Sequence, residues 1–157
     1  MFFQSLRTDP ESSHLPIGAA GFCWGGLYAL RLTHSTSVYE TSTLNSGDAK
    51  ATTKKPLVDA AFMAHPQPIS LPIDVENVMQ PIAVAIGDRD WCTSNERIER
   101  IKEIFRKKKD KVLTEVEVYP GAGHGFAVRY DPWNPNMAAQ AQEAQNQAVS
   151  WFECRFS

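Results

Sequence analysis

Apolar residues along this chain fall into short runs separated by polar stretches marked with proline or glycine. Ile17-Gly18-Ala19-Ala20 is one such run, and it stops at Gly21, which predicts a buried strand feeding a tight turn. From Trp24 the spacing becomes helical, with Leu27, Ala29, Leu30 and Leu32 on the apolar side and His34 near the end. Val58 to Ala64, closed by His65-Pro66, reads as a second buried strand. Pro81 to Gly87 is a third, unbroken in apolar character like a parallel strand covered on both faces.

A helix follows, with Thr93 and Glu96 in a capping-box spacing and Ile98, Ile101, Ile104 and Phe105 on one stripe. Val116 and Val118 alternate with Glu115 and Glu117, the pattern of a half-exposed strand near a sheet edge. Met137, Ala141, Ala144, Ala148 and Phe152 then mark a long amphipathic helix. Ser5 to Pro16 reads as an irregular lead-in, and the Ser-, Thr- and Lys-rich stretch from Ser35 to Lys55 as a surface loop or insertion. The order β-α-β-β-α-β-α predicts an α/β fold with a mostly parallel sheet flanked by helices, in one domain over residues 1–157.

Composition narrows the function classes. With 43% hydrophobic and 22% charged residues the chain is an ordinary globular protein, not a disordered one. A net charge of −2 gives no basic face for nucleic acid, and no apolar run is long enough to span a membrane. The apolar start is too short for a signal peptide. Three cysteines, an odd and sparse set, point to a reducing, cytoplasmic setting and away from a disulfide framework.

The chemistry concentrates at Gly21-Phe22-Cys23-Trp24-Gly25-Gly26, where an apolar strand meets a helix. A nucleophile on such a turn is strained, so glycine is expected at both flanking positions. The helix N-terminus stabilises a thiolate, and the N–H of Trp24 is the expected oxyanion donor. On the motif alone, Cys23 is as readily a small core residue. Gly87-Asp88-Arg89-Asp90 follows the third strand and offers two acids, of which Asp90 has the Gly-x-x-Asp spacing and Asp88 competes. Gly121-Ala122-Gly123-His124-Gly125-Phe126 holds a histidine in a glycine-rich loop, where packing gives it little purpose. His65 reads as structural, His14 and His34 as exposed. Cys23, Asp90 and His124 thus stand in the chain order nucleophile, acid, histidine of α/β-hydrolases.

With GFCWGG at 21–26, AHP at 64–66, IGDRDW at 86–91, YPGAGHGFAVR at 119–129 and an Ala-rich helix ending in Trp151-Phe152, the chain resembles the dienelactone hydrolase family, particularly its fungal-type members. The resemblance runs from about Pro16 onward. It implies hydrolysis of a small ester or lactone, without metal or organic cofactor. It also implies an arginine after the histidine that holds a substrate carboxylate. Arg129 is the matching candidate, one residue further on than in that pattern, and it reads equally as a solvated loop arginine.

Members of that family carry several strands and helices before the nucleophile, whereas twenty-two residues precede Cys23 here. The chain therefore resembles the C-terminal portion of such an enzyme. The second oxyanion donor, a cysteine-tuning glutamate and a further substrate arginine have no identifiable counterparts. On this reading the nucleophile strand becomes an exposed edge, and the polypeptide alone is expected to be weakly active or inactive and prone to aggregate. A hydrolase-derived protein with a binding role, or with no independent role, is the alternative. Cysteine-elbow amidotransferases are disfavoured, because the glutamate they place two residues after the histidine is Phe126 here. Substrate identity and oligomeric state are not legible in the sequence.

Overall fold

The computed structural model describes residues 2–36, 38–44 and 50–157. Four parallel strands form the central sheet: β1 (Gly18–Phe22), β4 (Ala60–Ala64), β5 (Ile82–Arg89) and β6 (Thr114–Gly123), in the spatial order β1-β4-β5-β6. These are the strands expected from the apolar runs. Strands β2 (Val38–Leu44) and β3 (Lys50–Pro56) form a separate antiparallel pair.

The helices are α1 (Phe2–Thr8), α2 (Trp24–Leu32), the short α3 (Ile73–Glu76), α4 (Asn95–Lys107) and α5 (Pro135–Phe156). Strands β4 and β5 alternate between two cores because successive side chains point to opposite faces. Met63, Val84 and Ile86 pack with Leu30 of α2 and with Ile98, Ile101, Ile104 and Phe105 of α4. Phe62, Ala64, Ala83 and Ala85 pack on the other face with Ala144 and Trp151 of α5. The expected apolar stripes of α4 and α5 are the ones that seal the sheet.

Four expectations are corrected. The lead-in is not irregular throughout: α1 occupies Phe2–Thr8 and is tied to the sheet by Arg7, whose Nη2 lies 2.6 Å from Asp59 Oδ2. Asp59 Oδ2 also accepts the Ile17 N–H at 2.7 Å, so one carboxylate joins the helix to the entry of β1. The Ser/Thr/Lys stretch is strand over 38–44 and 50–56, since β-branched Thr suits an extended backbone and polarity alone does not make a loop; its centre, 45–49, lies outside the described residues. The cap of α4 is Ser94, whose hydroxyl accepts from the Arg97 N–H, and Thr93 is buried instead. Finally, β1 is mostly not buried: Gly18, Ala20 and Phe22 are exposed, because among the described strands β1 pairs with β4 alone and forms the sheet edge.

Candidate active site

The carboxyl ends of β1, β4, β5 and β6 converge on one cluster. Cys23 follows β1 directly and adopts φ 54, ψ −122, a positive-φ conformation that costs a non-glycine residue about 1–3 kcal/mol. Backbone bonds hold it there: its N–H donates to Ala64 O at 3.1 Å, and its carbonyl accepts from Gln67 at 3.1 Å and from Gly26 at 3.0 Å. A Cβ on Gly21 would lie 2.2 Å from the Gly25 carbonyl oxygen, so the turn closes only over glycine. The expectation for the second flanking glycine is corrected. A Cβ on Gly25 would meet nothing within 4 Å, and the tight approach falls on Gly26, 2.9 Å from Pro66 Cβ.

His124 lies just beyond β6. Its Nε2 is 3.1 Å from Cys23 Sγ, and its Nδ1 is 3.0 Å from each carboxylate oxygen of Asp90. Both the His124 and Asp90 side chains are almost fully enclosed. Asp90, just after β5, also accepts the Cys92 N–H at 2.8 Å. Asp88 turns elsewhere: its Oδ1 accepts the Gly121 N–H at 2.6 Å and pins the loop before His124. Of the two candidate acids, Asp90 therefore faces the imidazole. Close strand approach beneath them requires Gly87, where a Cβ would lie 2.1 Å from Ala122 O.

Several contacts act on the Cys23 sulfur. The hydrogen bond to His124 lowers its thiol pKa most, burial opposes this, and donors from Gln67 and the Trp24 backbone lower it further. The Trp24 N–H is thus one of the donors that act on the sulfur. Cys92 behaves oppositely, its thiol pushed up by burial and by the Asp90 charge. Arg129 is exposed, its backbone N–H bonded to Gly125 O at 2.8 Å, with its guanidinium beside Gly125. A cavity of about 550 Å³ lies away from this cluster, between Pro120 and the start of α5.

His14 is exposed as expected, but His34 is half-buried, its Nε2 2.8 Å from Asp74 O. His65 is fully buried and neither ring nitrogen has a hydrogen-bond partner among the described residues. Burial, then the nearby His124, lowers its pKa to about 4, so it is neutral. Two residues at the cluster were not singled out from sequence. Gln67 Nε2 lies 3.4 Å from Cys23 Sγ, and the Cys92 thiol donates to Gln67 Oε1. The only sequence signal for them was position, immediately after AHP and two residues after Asp90. Asp90, Cys92 and His124 also present donor atoms within 4.8 Å of one another, close enough to share a metal ion.

Comparison with known proteins identifies the family. The profile of the dienelactone hydrolase family matches residues 49–156, a segment that includes Asp90 and His124 and begins after Cys23. An Escherichia coli (strain K12) protein named for carboxymethylenebutenolidase is 29% identical over 133 residues, covering 85% of this chain and 44% of its own length. Hydrolase tropI of Talaromyces stipitatus is 28% identical over 136 residues, covering 87% and 44%. The chain spans about half the length of the curated relatives it matches. A dienelactone hydrolase-like promiscuous phosphotriesterase from metagenomic libraries superimposes with a TM-score of 0.68 over 99% of this chain and 59% of its own. At 19% identity that likeness shows the fold alone. With the profile matched across more than half of its residues, the chain belongs to the dienelactone hydrolase family.

Proposed function

We propose that this chain carries the hydrolytic site of an enzyme acting on small esters or lactones, with Cys23 as nucleophile, His124 as general base and acid, and Asp90 as the group that orients the imidazole. The observation that carries the reading is the unbroken hydrogen-bonded series from Asp90 through His124 Nδ1 and Nε2 to Cys23 Sγ, at 3.0 and 3.1 Å. Such a series is what thiolate generation needs: a base in reach of the nucleophile and a third group holding the base. The Cys23 sulfur attacks the ester carbonyl carbon, the oxyanion takes the Trp24 N–H, and the tetrahedral intermediate expels the alkoxide, which is protonated by His124. Water activated by His124 then hydrolyses the thioester.

Arg129 is proposed as a contact for an anionic substrate group, supported by its exposure beside Gly125 at the histidine loop. A cytoplasmic setting is supported by three free cysteines, and no described helix is long and apolar enough to cross a membrane.

A second reading, a hydrolase-derived protein without useful turnover, is favoured by one observation: β1, which presents the nucleophile, is an exposed sheet edge. Hydrolysis of p-nitrophenyl acetate by the chain and by Cys23→Ala and His124→Ala separates the two. Turnover abolished by either substitution supports the hydrolase, whereas identical rates in all three proteins would overturn it.

A further inference from the structure

The nucleophile sulfur has a neighbour that the triad does not use. Gln67 lies three residues beyond β4, and its backbone N–H, bonded to the Cys23 carbonyl at 3.1 Å, fixes it against the elbow. Its side-chain amide lies between two sulfurs: Nε2 is 3.4 Å from Cys23 Sγ, and Oε1 accepts the Cys92 thiol proton. The chemistry of the two sulfurs decides which way the amide faces. Cys92 keeps its proton, because burial and the Asp90 charge push its thiol up, so it is a donor and needs an acceptor. Cys23 is the sulfur whose thiol is lowered, and it takes donors from His124, Gln67 and the Trp24 backbone. The flipped amide would set a carbonyl oxygen against a thiolate and leave the Cys92 thiol facing N–H groups.

We propose that Gln67 supplies the side-chain half of an oxyanion pocket whose backbone half is the Trp24 N–H, with Cys92 as the positioning residue that holds the amide. This rests on Cys23 being the nucleophile. On attack a C–S bond forms and the carbonyl π pair moves to oxygen. That oxygen is bonded to the same carbon as the sulfur. A donor already within reach of the sulfur therefore reaches the oxyanion after a small shift. Collapse restores the C=O bond and expels the alkoxide with the proton from His124. A flexible side-chain amide can do here what fixed backbone N–H groups do elsewhere.

The test uses the full chain with Gln67→Ala, Gln67→Glu, Cys92→Ala, Cys92→Ser and Cys23→Ala. Two quantities are read: the pH midpoint of iodoacetamide alkylation at Cys23, resolved by peptide mass, and kcat and KM for p-nitrophenyl acetate. Both Gln67 variants raise the alkylation midpoint and lower kcat by about 100- to 1000-fold, with KM changing much less. Cys92→Ala shows part of the same loss, and Cys92→Ser, which keeps a donor, stays close to wild type. A Gln67→Ala protein with wild-type midpoint and wild-type kcat overturns the proposal while leaving the nucleophile intact. Turnover that survives Cys23→Ala, or wild-type Cys23 alkylating no faster than Cys92, overturns the nucleophile reading and this proposal with it. The midpoint is measured on the folded chain, independently of turnover.

Discussion

Asp90 meets His124 symmetrically, with Nδ1 at 3.0 Å from both carboxylate oxygens and both side chains shut away from solvent. In that environment the carboxylate sets the tautomer, leaving the Nε2 lone pair facing Cys23 Sγ. Asn in its place presents an N–H to Nδ1 and favours the wrong tautomer. Asp90→Asn is therefore expected to lower kcat by about 1,000-fold or more with the fold intact. Asp88→Asn, which alters the acceptor of the Gly121 N–H and not the partner of His124, is expected to keep kcat near wild type. Steady-state kinetics on the pair decide it, and a larger loss from Asp88 than from Asp90 would reverse the assignment.

The elbow predicts a sharp contrast between the two glycines that flank Cys23 at two residues' distance, Gly21 and Gly25. Gly21→Ala drives a Cβ into the Gly25 carbonyl, 2.2 Å away, and is expected to cost about 3 kcal/mol or more. Gly25→Ala meets open space in the first turn of α2 and is expected to be neutral or stabilising by up to about 1 kcal/mol. Urea unfolding of both variants measures the contrast. Equal losses would show that the close approach is not as described.

The two partly buried thiols differ in direction. Because His124 lowers the Cys23 thiol and burial raises that of Cys92, Cys23 alkylation should persist to lower pH and fall off only through a midpoint below the ordinary thiol value. Cys92 should react only at alkaline pH. Peptide-resolved labelling from pH 5 to 10 reads both midpoints, and coincident curves would contradict the asymmetry.

His65 links the site to acid stability. Its imidazole titrates at about 4 when folded against 6.5 ordinarily, so between those values the unfolded chain binds a proton the folded chain does not. Its contribution is therefore complete above pH 6.5 and is lost as pH falls toward 4. Between pH 7 and 5 the wild type should lose about 2 kcal/mol more than His65→Leu. Denaturant midpoints at the two pH values test this, with equal losses as the contrary result.

Much of this site was legible because strand ends carry it. Apolar runs located β1, β4, β5 and β6, and residues just beyond three of them, Cys23, Asp90 and His124, had to lie near one another once the sheet was parallel. Spacing already favoured Asp90, with Asp88 competing; what separates them is side-chain direction, since Asp88 at the end of β5 turns to the Gly121 N–H and Asp90 just beyond the strand turns to His124. Gln67 and Cys92 were invisible because their roles depend on contacts to each other and to Cys23 across 25 and 44 residues, with no local periodicity. The hairpin of β2 and β3 was missed because Thr-rich polarity resembles a loop, and α1 because its anchor is the distant Asp59.

As nucleophile, the Cys23 sulfur takes the acyl group. Brief mixing with p-nitrophenyl acetate, acid quenching and peptide mass analysis test it directly. The expected product is an acetyl thioester on the Cys23 peptide, formed with release of one p-nitrophenolate and accumulating faster than any label on Cys92 or Cys154. An acetyl group found first on another residue, or p-nitrophenolate released without any adduct at Cys23 and undiminished in Cys23→Ala, would contradict it.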